Sequence, residues 1–107
     1  MLLLLNEPTL WIDDEIKRVT KQYYVDAYNV ARWPWGVEGG NKTDWIILIH
    51  DAWQPLQWWG DILQGPQCEK VWIDHHHYQA YDDSDYNISA EEHIRVSPNT
   101  AKTTALI

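Results

Sequence analysis

The sequence predicts a parallel α/β fold. Leu2-Leu3-Leu4-Leu5, Trp45-Ile46-Ile47-Leu48-Ile49 and Val71-Trp72-Ile73 are continuous apolar runs that turn polar only at their carboxyl ends. Strands buried on both faces of a parallel sheet read this way, without the alternation of a half-solvated strand. Helical patterns separate the runs, and a strand–helix–strand order implies right-handed crossovers. The polar ends then fall on one rim of the sheet, where α/β folds gather their functional residues.

Taken in order, the first strand is expected near residues 2–6. Proline cannot continue a buried ladder, so Pro8 stops it and leaves Asn6 and Glu7 at its carboxyl end. A carboxylate there can act as a general acid or base; the same tripeptide reads equally as the start of an ordinary solvated loop. Asp13, Asp14 and Glu15 open a helix whose dipole they complement. Ile16, Val19, Tyr23, Ala27 and Val30 recur at spacings of three and four, which predicts a helix from about Asp14 to Ala31 with these residues on its inner face. Pro34 and Gly36 end it. After a Gly- and Asn-rich loop comes the second strand, near 45–50, ending in His50 and Asp51. A short helix is expected from Pro55 to Leu63, proline being welcome in a first turn. The third strand, near 71–77, runs into Asp74-His75-His76-His77-Tyr78. Tyr86 to Arg95 is weakly helical, and residues 96–107 read as a polar tail.

The chain has 107 residues and a formal charge of −8. That balance argues against nucleic acid and anionic membranes, which require basic surfaces. No run is long enough to span a membrane, and Met1 to Leu5 has neither the length nor the basic start of a signal peptide. Cys68 is the only cysteine, so no disulfide forms within the chain. Eight Trp and six Tyr stand against no Phe. Indoles need partners for their N–H groups and often line clefts, where flat apolar rings beside polar groups suit sugar faces.

The histidine run invites a metal reading. On a strand, however, His75 and His77 face one way and Asp74, His76 and Tyr78 the other, so three consecutive histidines do not converge on one ion. His76 and Tyr78 are expected to face the site, their neighbours to bond behind it, and no metal is assigned. Neither a Gly-x-Ser-x-Gly elbow nor a phosphate-cradling glycine loop is present.

Leu5-Asn6-Glu7-Pro8, Ile49-His50-Asp51-Ala52-Trp53-Gln54 and Ile73-Asp74-His75-His76-His77-Tyr78-Gln79 closely resemble, in the same order, three successive strand ends of the fungal exo-β-1,3-glucanases of glycoside hydrolase family 5. The resemblance extends from about Leu2 to Ile94. It implies the TIM-barrel fold, of which this chain would supply strands 4 to 6 as three parallel strands with two to three helices. Residues 1–95 would be a partial catalytic domain and 96–107 an unmatched tail. It implies a β-glucan oligosaccharide or polysaccharide as partner, a retaining hydrolysis of O-glycosidic bonds, no cofactor, and an extracellular or cell-wall setting. By resemblance Glu7 is the general acid/base and Asn6 bonds the sugar 2-hydroxyl. His76 and Tyr78 orient the carboxylates and bind sugar, and Trp53 and Tyr81 are sugar platforms.

The family's first three strands, its Gly-Glu nucleophile motif on the seventh and the Trp of the eighth have no counterpart here. The expectation is a truncated product that lacks the nucleophile and is inactive alone. The alternative is a non-catalytic sugar-binding remnant or a decayed gene product.

Overall fold

The computed structural model describes residues 1–78, 83–100 and 105–106. Its elements are β1 (Leu2–Leu3), α1 (Asp14–Arg32), β2 (Ile47–His50), β3 (Val71–Asp74), α2 (Ala90–Thr100) and β4 (Ala105–Leu106), with 3-10 turns at Leu56–Trp59 and Asp83–Asn87. The sheet order is β1-β2-β3-β4. The first three strands are parallel and adjacent, in the register Leu2↔Ile47 and Ile47↔Val71. β4 runs antiparallel to β3, with Val71 opposite Leu106 and Trp72 opposite Ala105. The sheet is therefore mixed rather than purely parallel. α2 also extends to Thr100, so 90–100 and 105–106 have more order than the polar tail that the sequence suggests.

The strands are shorter than their apolar runs. At its amino end β2 begins at Ile47, because the carbonyls of Thr43 and Trp45 accept from the Arg32 guanidinium instead of joining a ladder. At its carboxyl end β3 stops at Asp74, and His75 to Tyr78 turn their side chains to carboxylates and the cleft. Alternation lapses with the ladder, so His75 and His77 border the same cleft as His76 and Tyr78 rather than standing behind it.

α1 starts where the sequence predicts. The Asp13 carboxylate accepts from the Ile16 amide at 2.8 Å, an N-cap, and Asp14 and Glu15 fill the first turn. Its buried stripe, however, is Thr20, Tyr24, Tyr28 and Arg32. Val19, Tyr23 and Val30 of the expected face are exposed. At the free edge of β1, Tyr23, Ala27 and Val30 line a shallow groove with Leu2 to Leu4. The buried residues prevail because their polar tips find acceptors across the sheet. The Tyr24 hydroxyl donates to the His50 carbonyl at 3.0 Å, and that of Tyr28 to the Gln67 carbonyl at 3.1 Å.

The core packs Ile47, Ile49, Val71 and Ile73 from one sheet face against Leu10, Tyr24, Tyr28 and Trp59. The opposite face is only half covered: Leu3 and Leu48 are partly buried and Trp72 is exposed. The strands are thus not buried on both faces, as unbroken apolar runs predict. The expected helix from Pro55 to Leu63 is reduced to one 3-10 turn, since Leu63 takes a left-handed φ of 51°. That turn seats the fully buried Trp59, whose indole N–H donates to the Asp51 carbonyl at 3.0 Å. Among the described residues no helix is long and apolar enough to cross a membrane.

Arg32 is 1% exposed and donates to the carbonyls of Thr43, Trp45 and Glu69 at 2.7, 3.0 and 2.6 Å. Replacing it by methionine keeps the apolar stem and strands three acceptors. Arg32→Met should cost about 3 kcal/mol in urea unfolding. Arg32→Lys should recover only part of that, since one ammonium cannot span the fork. A loss below about 1 kcal/mol for the methionine variant would show that water replaces the guanidinium.

Candidate functional site

The carboxyl ends of β1, β2 and β3 meet in an open cleft of about 620 Å³. Glu7 enters from the segment after β1 with a left-handed φ of 45°, ahead of the buried Pro8. His76 and Tyr78 enter from the segment after β3. Nδ1 of His76 lies 2.7 Å from Glu7 Oε1, and the Tyr78 hydroxyl donates to that same oxygen. On its other side Nε2 of His76 is 3.1 Å from Asp74 Oδ2. One imidazole thus bridges two carboxylates, and the cationic ring, with two N–H donors, satisfies both.

The electrostatics follow from these contacts. The Glu7 carboxyl is held below its ordinary range by the Tyr78 hydroxyl first and by His76 second. His76 is pushed up, first by its bond to Glu7. His50 goes the opposite way. It is fully buried, and burial, with the nearby His76 charge adding to it, holds it below its usual value. The two rings meet edge to face at 4.3 Å. His50 Nδ1 accepts from the Ala52 amide at 2.8 Å, which puts the proton on Nε2. That N–H has no hydrogen-bond partner among the described residues.

Glu7, His50 and His76 have donor atoms within 4.8 Å of one another, the spacing of a metal site. The tautomers oppose ligation. A neutral His50 that accepts at Nδ1 has no lone pair at Nε2, and both nitrogens of His76 are committed to carboxylates. Within the set Glu7 and His76 are hydrogen-bonded to each other, and His50 only packs its ring edge to face on His76.

Behind the network lies Asp51, only 8% exposed. Its Oδ1 accepts from the Trp53 amide at 2.9 Å and its Oδ2 lies 2.5 Å from His75 Nδ1. His50 and Asp51 thereby cap the amides of Ala52 and Trp53, both left-handed at φ 50° and 56°. The turn delivers Trp53 to the cleft wall, where its indole donates to the His76 carbonyl at 2.8 Å.

Of the residues singled out in the sequence, Glu7, His76, Tyr78 and Trp53 come together in this cleft. Asn6 is exposed and is not among the residues lining it. Tyr81 lies outside the described residues. Trp11, His50 and His75 belong to the arrangement and were not singled out. His50 carries a signal in the sequence, as the polar residue that ends an apolar run. Trp11 carries none beyond its residue type.

No family model matches the chain. Among curated proteins it is 35% identical over 95 residues to glucan 1,3-β-glucosidase I/II of Saccharomyces cerevisiae, covering 88% of this chain and 20% of that protein. It is 35% identical over 102 residues to glucan 1,3-β-glucosidase of Candida oleophila, covering 94% and 23%. The sporulation-specific glucan 1,3-β-glucosidase of S. cerevisiae is 34% identical over 97 residues, covering 88% and 20%. The chain resembles fungal glucan 1,3-β-glucosidases along most of its length and spans about a fifth of theirs.

The His76–Glu7 bridge has a defined pH window. Glu7, depressed from 4.5, contributes stability above that value and loses it as pH falls through its lowered one. His76, raised from 6.5, contributes below that value and loses it as pH rises through its raised one. The difference in thermal midpoint between the native chain and His76→Asn should peak between these two ordinary values and shrink on both sides. A difference that stays constant from about pH 3 to 9 would show that the bridge does not form.

Proposed function

We propose that this chain forms part of the sugar cleft of a β-glucan glycosidase of glycoside hydrolase family 5, strands 4 to 6 of a TIM barrel. On this reading residues 1–95 belong to the catalytic domain, and since the match to the Candida oleophila protein covers 94% of the chain it also takes in part of 96–107. The observation that carries the proposal is the Glu7 carboxylate held by His76 and Tyr78 at the carboxyl ends of parallel strands, in an aromatic cleft of a chain similar to glucan 1,3-β-glucosidases. Glu7 is the general acid/base, His76 and Tyr78 position it, and Trp53 supplies an apolar face to the sugar; Asn6, outside the cleft lining, and Tyr81 are sugar contacts by the resemblance alone. An extracellular or cell-wall location follows from the polymer.

On this reading the chain alone is expected to bind rather than cleave. A retaining glycosidase needs a second carboxyl group about 5–5.5 Å from the first, to attack the sugar. A general acid also needs a raised affinity for its proton, whereas here both partners of Glu7 favour the ionised form. A second carboxylate would serve both needs, as nucleophile and as the like charge that lifts Glu7. The acids nearest the site do not serve. Asp51 is held by His75 and the Trp53 amide, and Asp74 by His76.

Incubated with laminarin and with an aryl β-glucoside, the chain should release neither glucose nor phenol above a Glu7→Gln control. Glucose release that disappears in the control would overturn the inactive reading and place a working nucleophile in the chain. Failure to bind laminarin at all would overturn the glycan assignment itself.

A further inference from the structure

Trp11 takes no part in the carboxylate network, yet it lines the cleft with 65% of its surface exposed. Both its flanks are pinned. Leu10 is fully buried in the core, and Asp13 caps α1 through the Ile16 amide at 2.8 Å. The indole is thus carried on a short, anchored segment between β1 and α1. Its ring meets Trp53 at 5.9 Å between centroids, tilted by 52°, and Trp53 meets Tyr78 at 6.3 Å, tilted by 39°. The three rings form one wall, from the tyrosine that bonds Glu7 out to Trp11. Among the described residues the Trp11 N–H has no acceptor, so it is left for a ligand hydroxyl.

We infer that Trp11 is the outer sugar platform of this cleft, taking the pyranose ring next to the one held at Glu7, so that the site reads two neighbouring residues of a β-glucan. The inference rests on the glycan reading above. Trp11 adds a further flat apolar face to a cleft that already holds Trp53 and Tyr78. The same cleft is lined by Glu7, His75 and His76, so apolar faces and polar groups stand together, as suits a ring with C–H faces and a hydroxyl rim. The ring contacts lead from Tyr78, which bonds Glu7, through Trp53 to Trp11.

The test compares the full chain with Trp11→Ala and Trp11→Phe, titrated with methyl β-glucoside, laminaribiose and laminaritetraose and followed by calorimetry. Trp11→Ala should weaken the two oligosaccharides by about fivefold and leave the monosaccharide unchanged. Trp11→Phe should restore most of the difference. The exposed position predicts unchanged circular dichroism and thermal midpoint in both variants. Equal affinities in native chain and Trp11→Ala, or an equal loss for monosaccharide and oligosaccharide, would overturn the outer platform and leave the glycan reading standing. A native chain that binds none of the three sugars would overturn both.

Discussion

A single buried guanidinium holds the foot of this sheet together. Arg32, the last residue of α1, donates to carbonyls on the segments that lead into β2 and β3. It also donates to the Tyr28 hydroxyl at 3.3 Å. Carbonyls that would otherwise be orphaned at the strand entrances are gathered onto one planar fork, a geometry lysine cannot offer. Because the two strands start level, they end level, with His50 opposite Asp74 in the register. The height at which the cleft residues emerge is therefore set at the opposite end of the strands. Tyr24 completes the link by tying the middle of the helix to the His50 carbonyl.

At the rim, the main feature is the different use of three histidines, two of which take up three acids while the third bonds none. His76 bridges Glu7 and Asp74, while His75 bonds Asp51. His50 is excluded from water and kept neutral beside a ring that favours its charge. Burial and pairing are the two opposing influences on a histidine, and here they act in opposite senses on rings 4.3 Å apart. The outcome is a cleft whose charges are fixed by contacts within the chain, so a neutral ligand can enter without a large electrostatic rearrangement.

Much of this was legible in the sequence. The apolar runs located the three parallel strands, the acids at Asp13 to Glu15 located the helix start, and Glu7, His76 and Tyr78 stood out as strand-end residues. The inner face of α1 was not legible. An apolar-period reading counts Val19 and Val30 as core and treats Tyr24, Tyr28 and Arg32 by their polar tips, whereas burial followed the acceptors those tips could reach. The purely parallel sheet failed for a similar reason. Ala105-Leu106 is too short a segment to show any period, and only its pairing with β3 defines it. Trp11 escaped notice because its place depends on Leu10 being buried and Asp13 being a cap, two facts that are each local but become informative only in three dimensions.

The left-handed backbone at Glu7 limits what can stand there. Among L residues, asparagine and aspartate enter that region most readily, and glycine enters it without penalty. Aspartate would therefore be the more comfortable acid. It is also shorter by one methylene, which would withdraw its oxygens from both His76 Nδ1 and the Tyr78 hydroxyl. Backbone ease and side-chain reach pull in opposite directions at this position, and the chain settles the conflict in favour of reach. Trimming the acid would trade a relaxed main chain for a carboxylate that no longer meets its partners.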